Sequence, residues 1–150
     1  MSSRMPNGEF SIADGNAVLL DTNAIIWLVS EAPMAPDSVD TIRRAADAGQ
    51  LLVSPISAWE IGLLAMSGGL EFRPTPQAWF AQMLEMPSVR LTPLTPEAAI
   101  DSAFLPGNFH RDPADRLLIA TARRLAATIV TRDRQILAYA AEGHVGAIAC

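Results

Sequence analysis

Short apolar runs of strand length alternate along this chain with longer segments of helical period. Residues 17–20, 51–53, 89–91, 128–131 and 145–148 read as strands. Between them, residues 24–30, 37–48, 55–67, 75–85, 95–104, 112–127 and 133–141 read as helices. Punctuation residues support these limits. Asp21-Thr22-Asn23 can cap the first helix, Pro33 and Pro36 break the chain after it, Gly49 stops the second helix, and Pro55 suits the first turn of the third. Strands alternating with helices predict an α/β fold, one domain with a central parallel β-sheet flanked by α-helices. Residues 17–150 carry that pattern, and residues 1–16 read as a disordered leader without the apolar run of a signal peptide.

Composition narrows the chemistry. All eleven basic residues are arginine, so mechanisms that need a lysine, such as a P-loop or a Schiff base, are excluded. The turn after the first strand is Asp-Thr-Asn, not the Gly-rich turn of a dinucleotide site. One cysteine, Cys150, permits no disulfide framework and suits a cytoplasmic setting. No segment reaches the roughly 18 apolar residues of a membrane span.

Two acids stand alone in apolar sequence. Asp21 is the only charged residue between Asp14 and Glu31, and Glu60 the only one between Asp47 and Glu71. On a helical wheel Glu60 shares its face with Ile56, Leu63 and Leu64, and Asp115 shares its face with Leu118, Ile119 and Ala122. A carboxylate on a buried face costs several kcal/mol or takes up a proton unless something compensates it. A divalent cation is one such partner. Asp21 and Asp133 each follow a strand, at the carboxyl edge of a parallel sheet where open α/β folds place ligands. Four acids can therefore converge on a hard cation such as Mg²⁺ or Mn²⁺, the arrangement of two-metal phosphodiester hydrolysis. The plain alternative for Asp21 and Asp133 is a helix N-cap.

In these residues the chain resembles the PIN-domain ribonucleases, and among them the VapC-type toxins of bacterial toxin–antitoxin pairs. The carriers are LLDTNAIIWL at 19–28, SAWEIGLLAMSGGL at 57–70, HRDPADRLLIATAR at 110–123 and IVTRD at 129–133. The family's four acids fall on Asp21, Glu60, Asp115 and Asp133, and Thr22, Asn23 and Thr131 fall on its small polar positions near the metal. The resemblance implies a Mg²⁺- or Mn²⁺-dependent endoribonuclease, an RNA substrate, a cognate antitoxin that blocks the site, and a homodimer. A catalytically weak PIN-like binding protein, or a nuclease without an antitoxin, is the competing expectation.

Several residues admit two readings. Asp112 lies within reach of the same site as Asp115, yet Asp112-Pro113 is also a standard capped helix start. His110 can orient substrate, move a proton or simply support structure. Residues 111–134 hold six arginines against three acids, a local balance of +3 where the rest of the chain is −8. Arg111, Arg116, Arg132 and Arg134 are the RNA-binding candidates, while Arg123 and Arg124 are either phosphate contacts or a solvated helix face. Trp27, Trp59, Trp79, Phe80 and Met83 are either core or the lining of a partner groove.

Overall fold

The computed structural model describes residue 10 and residues 16–150. Five strands, β1 (Val18–Leu20), β2 (Leu51–Val53), β3 (Val89–Leu91), β4 (Thr128–Thr131) and β5 (Gly146–Ala149), form one parallel sheet in the order β3-β2-β1-β4-β5. Seven helices connect them: α1 (Thr22–Val29), α2 (Pro36–Asp47), α3 (Pro55–Met66), α4 (Pro76–Leu84), α5 (Pro96–Ala103), α6 (Pro113–Leu125) and α7 (Arg134–Ala141). The expected α/β architecture is present, with element ends displaced by one or two residues. The two-residue displacements are at the end of α6 and at the start of α1, which begins at Thr22 because Asp21 caps it through Ala24 N–H.

The central strands are too apolar to face water on either side, so helices cover both. Val18, Leu20, Leu51, Val53 and Val130 point to one face and pack with Ile25, Ile42, Ile61 and Phe80. Leu19, Leu52 and Ile129 point to the other and pack with Leu118, Ile119, Ile136 and Tyr139. This alternation is the period-two geometry of a strand, expressed here with apolar residues at both phases. Burying each of these leucines and isoleucines contributes about 1.5–3 kcal/mol. Gly49, at φ +70°, ends α2 in the left-handed conformation that carries the chain into β2.

Strand order changes direction at β1, which pairs with β2 on one side and β4 on the other. Leu20 lies opposite Val130, so the residues following β1 and β4 emerge side by side. Asp21 N–H donates to the Val130 carbonyl at 3.2 Å. A crevice at the carboxyl ends of strands where the order reverses is where this class of sheet holds ligands.

The expected leader lies outside the described residues except for Phe10 and Asn16. Phe10 is half-buried beneath the Arg90 guanidinium, 4.5 Å from its ring centroid, and packs with the core layer of α6 and α7. At that position the leader is not detached from the domain. Among the described residues, no helix is long and apolar enough to cross a membrane.

Candidate active site

Asp21, Glu60, Asp112, Asp115 and Asp133 line one cavity of about 350 Å³, walled on its apolar side by Leu63, Leu64 and Leu118. Thr22 and Asn23 complete the lining. Each acid arrives for a local reason. Asp21 stands at the first position after β1 and Asp133 at the second after β4, and they cap α1 and α7: Asp21 Oδ1 accepts from Ala24 N–H at 2.8 Å, and Asp133 Oδ1 accepts from Gln135 and Ile136 N–H at 2.7 and 3.1 Å. Capping and site lining are therefore not alternatives. One oxygen closes the helix and the carboxylate still faces the cavity.

Asp112 likewise does both. Its Oδ1 accepts from Asp115 N–H at 3.0 Å as the N-cap of α6, and it lines the cavity beside Asp115. Glu60 and Asp115 come from the inner faces of α3 and α6, as the wheel reading requires. Their helices meet over the strand ends.

Two threonines join the acids into a network. Thr131, fully buried, accepts from Asp133 N–H at 2.9 Å and hydrogen-bonds the Asp21 carboxylate, so the two strand-end acids are tied through one hydroxyl. Thr22 hydrogen-bonds Glu60, and its oxygen lies 3.0 Å from Ser57 Oγ. A hydroxyl has one proton to give. With Glu60 ionised, Thr22 donates to the carboxylate and Ser57 donates to Thr22. Ser57 is a site residue that sequence reasoning missed. It lies three residues before Glu60, on the same helical face, which is the signal that could have found it.

The electrostatics of the cluster are those of carboxylates crowded together out of water. Burial pushes the Asp21 carboxyl above its ordinary range against hydrogen bonds from Thr131 and Ala24, and the charge of Asp133 adds to the rise. Burial likewise raises Glu60, with Thr22 opposing it and Asp112 and Asp21 reinforcing it. Asp115 is pushed up to about 7, first by burial and then by Asp112, Asp133, Glu60 and Asp21. No arginine or lysine stands among the cavity's lining residues to relieve this repulsion. The donors are hard oxygens, which fit a hard divalent cation.

His110 stands at the rim. Its Nε2 is 3.3 Å from Asp115 Oδ2, and one ligand atom from each of His110, Asp115 and Asp133 falls within 4.8 Å of the others.

The arginines divide. Arg116 is engaged within the chain: its Nε donates to the Ser102 carbonyl at 2.7 Å, and its Nη1 donates to the Phe109 and His110 carbonyls at 3.0 and 3.2 Å. Arg132 is occupied too. It donates to the carbonyls of Cys150 and Pro33 at 2.6 and 2.9 Å and lies 3.9 Å over the Trp27 ring. Both hold loops in place. Arg111 and Arg134 are exposed next to the site acids Asp112 and Asp133 in the chain. Arg124 pairs with Asp101 at 2.6 Å, and Arg123 donates to the His144 carbonyl.

The aromatics divide as well. Phe80 and Met83 are core, and Trp79 meets Phe72 edge-on at 5.0 Å. Trp59 is half exposed on α3, with Leu63 and Met66 also exposed on that helix.

Comparison with known proteins finds related chains. The model of the PIN domain matches residues 18–142. Ribonuclease VapC22 of Mycobacterium tuberculosis is 33% identical over 119 residues, covering 79% of this chain and 88% of that protein. Among solved structures, VapBC2 from Rickettsia felis bound to a promoter DNA fragment superposes with a TM-score of 0.64 at 15% identity, over 89% of this chain and 98% of that one. FitAcB from Neisseria gonorrhoeae gives 0.58 at 22% identity, over 87% and 96% of the two chains. At these identities the structural matches speak to the fold.

Proposed function

The chain belongs to the PIN domain family, and from that premise we propose that it is a divalent-cation-dependent endoribonuclease, the toxin of a VapBC-type pair that is held in check by a cognate antitoxin. The observation that carries the reading is the convergence of Asp21, Glu60, Asp115 and Asp133 on one cavity without a basic side chain among them. Four carboxylates so placed must take up protons or hold a cation, and a site of oxygen donors suits Mg²⁺ or Mn²⁺. Asp21, Glu60, Asp115 and Asp133 are the residues that would hold it. When bound, such an ion supplies Lewis-acid stabilisation of charge on a phosphodiester and eases deprotonation of water.

The chain's own residues supply position. The caps and the Thr131 bridge fix Asp21 and Asp133, so these two carboxylates need little reordering when substrate arrives. Thr22, backed by Ser57, donates toward the Glu60 carboxylate and opposes the rise that burial imposes on it. Leu63, Leu64 and Leu118 wall the apolar side of the cavity, and low-dielectric surroundings of this kind strengthen charge interactions. The reaction is in-line attack of water on an RNA phosphodiester, and no residue forms a covalent intermediate. Arg111 and Arg134 are the contacts for flanking phosphates, and two copies of the chain associate as a homodimer. Activity belongs in the cytoplasm, where RNA and the antitoxin are found.

The test is RNA cleavage with Mg²⁺ or Mn²⁺, in chelator, and with Asp21→Asn or Asp115→Asn. Cleavage that requires the cation and disappears in both variants supports the reading. Undiminished cleavage by the variants overturns it, and binding of RNA without cleavage points to the competing PIN-like binding protein.

A further inference from the structure

His110 sits between two neighbours that constrain it differently. Its Nδ1 accepts a hydrogen bond from Asp112 N–H at 3.2 Å, the backbone of the α6 N-cap. Its Nε2 is sealed from solvent and makes no hydrogen bond in this geometry, with Asp115 Oδ2 lying 3.3 Å away. Phe109 lies against the ring, centroids 4.1 Å apart, and limits its rotation. The main-chain segment that carries it is pinned by Arg116, which donates to the Phe109 and His110 carbonyls.

The distances alone allow His110 to be a nitrogen ligand alongside Asp115 and Asp133. The hydrogen-bond chemistry does not. In a neutral imidazole one nitrogen carries the proton and the other accepts. A backbone N–H can only donate, so an Nδ1 that receives it must be the bare nitrogen and the ring proton must be on Nε2. A protonated Nε2 has no lone pair for a metal. It has a proton to offer, and Asp115 Oδ2 is the acceptor within reach.

We propose that His110 is a positioning residue: Asp112 N–H locks its ring with the proton on Nε2, and that N–H orients the Asp115 carboxylate for the cation. The inference rests on the functional reading above, since it concerns how one of the four carboxylates is aimed. Hydrogen bonds from outer groups to ligating carboxylates are a common means of fixing their direction. The lock also explains why Asp112 lies at the site without itself having to be a ligand: its side chain caps α6 onto Asp115 N–H while its backbone fixes the histidine. One turn of chain thus orients both ends of Asp115.

The test has two arms on the full chain. The first is imidazole ¹⁵N NMR at a pH where both rings are neutral; the chain has two histidines, His110 and His144, and His110→Asn assigns the signals. His110 should show the Nε2–H tautomer both without and with saturating Mg²⁺. A signal in the Nδ1–H form, or one that converts to it on adding Mg²⁺, overturns the lock and makes His110 a ligand. The second arm is Mn²⁺ affinity by electron paramagnetic resonance. His110→Ala and His110→Asn should weaken it by roughly tenfold, the usual cost of losing an outer partner of a metal ligand. His110→Gln places an amide donor where Nε2–H was and should restore part of the loss. Unchanged affinity in all three folded variants overturns the positioning role while leaving the cation site standing. If the unsubstituted protein binds no Mn²⁺, the functional reading falls and this inference falls with it.

Discussion

At the ends of β1 and β4, Asp21 and Asp133 spend one oxygen each on capping the following helix and are bridged by Thr131. On the inner faces of α3 and α6, Glu60 and Asp115 cap nothing; their charges are set against apolar walls and against one another. The strand-end pair serves the fold and the site together, whereas the helix-face pair serves the site at the fold's expense. Functional carboxylates in one cavity can thus have opposite relations to stability. Substitutions should separate them.

The largest effect belongs to Asp115→Asn. RNA cleavage should fall by several orders of magnitude, yet the cation-free protein should melt at a temperature equal to or above that of the parent, because a repelled carboxyl pushed up to about 7 is replaced by a neutral group of the same shape. A marked drop in melting temperature breaks the comparison. For Asp21 the stability outcome reverses. Asp21→Ala should abolish cleavage and also cost about 1 kcal/mol through the lost cap, whereas Asp21→Asn, still able to cap, should lose activity with little change in stability. Equal stabilities for the Ala and Asn variants, by denaturant unfolding, would show that the cap is not what holds this residue.

The fold was largely legible from the pattern of apolar positions. Strands with apolar residues at both phases, such as Val18, Leu19 and Leu20, belong in a parallel sheet covered on both sides. The four acids were legible because Glu60 and Asp115 interrupt apolar helical faces. Less legible was how one residue could satisfy two demands. Asp21, Asp112 and Asp133 could be read as caps or as site acids, since sequence does not show that a carboxylate has an oxygen for each. The fates of the arginines were not legible either. Whether Arg116 meets a phosphate or the Ser102 carbonyl depends on an interaction across fourteen residues that no local pattern encodes.

The pH dependence sharpens the same contrast at smaller amplitude. A carboxyl whose folded value is raised binds its proton more tightly in the native state, so its contribution to stability is present below the ordinary carboxyl range and lost as pH rises through the folded value. In chelator, the melting temperature should therefore decline between about pH 4 and pH 7. Asp115→Asn should flatten that decline, and Mn²⁺ should offset it by favouring the ionised form. A decline of the same slope in the variant would assign it elsewhere.

The smallest effects concern the arginines. Arg111→Gln or Arg134→Gln should weaken RNA binding modestly and reduce its salt slope by about 0.7–0.9 for each phosphate that is no longer neutralised, with no change in melting temperature. Arg116→Gln should lower the melting temperature, because three carbonyls lose their donor. If Arg116→Gln changes only the salt slope, the division between loop-holding and RNA-facing arginines fails.

Both pairs of acids are proposed to serve one cation-binding cavity. Anomalous diffraction from crystals of the protein equilibrated with Mn²⁺ tests it most directly. Density for manganese is expected in the cavity, within ligating distance of carboxylates from the strand ends and from the helix faces alike. Manganese held only by exposed acids elsewhere, or a cavity that stays free of it at saturating Mn²⁺, would show that the four carboxylates do not form a cation site.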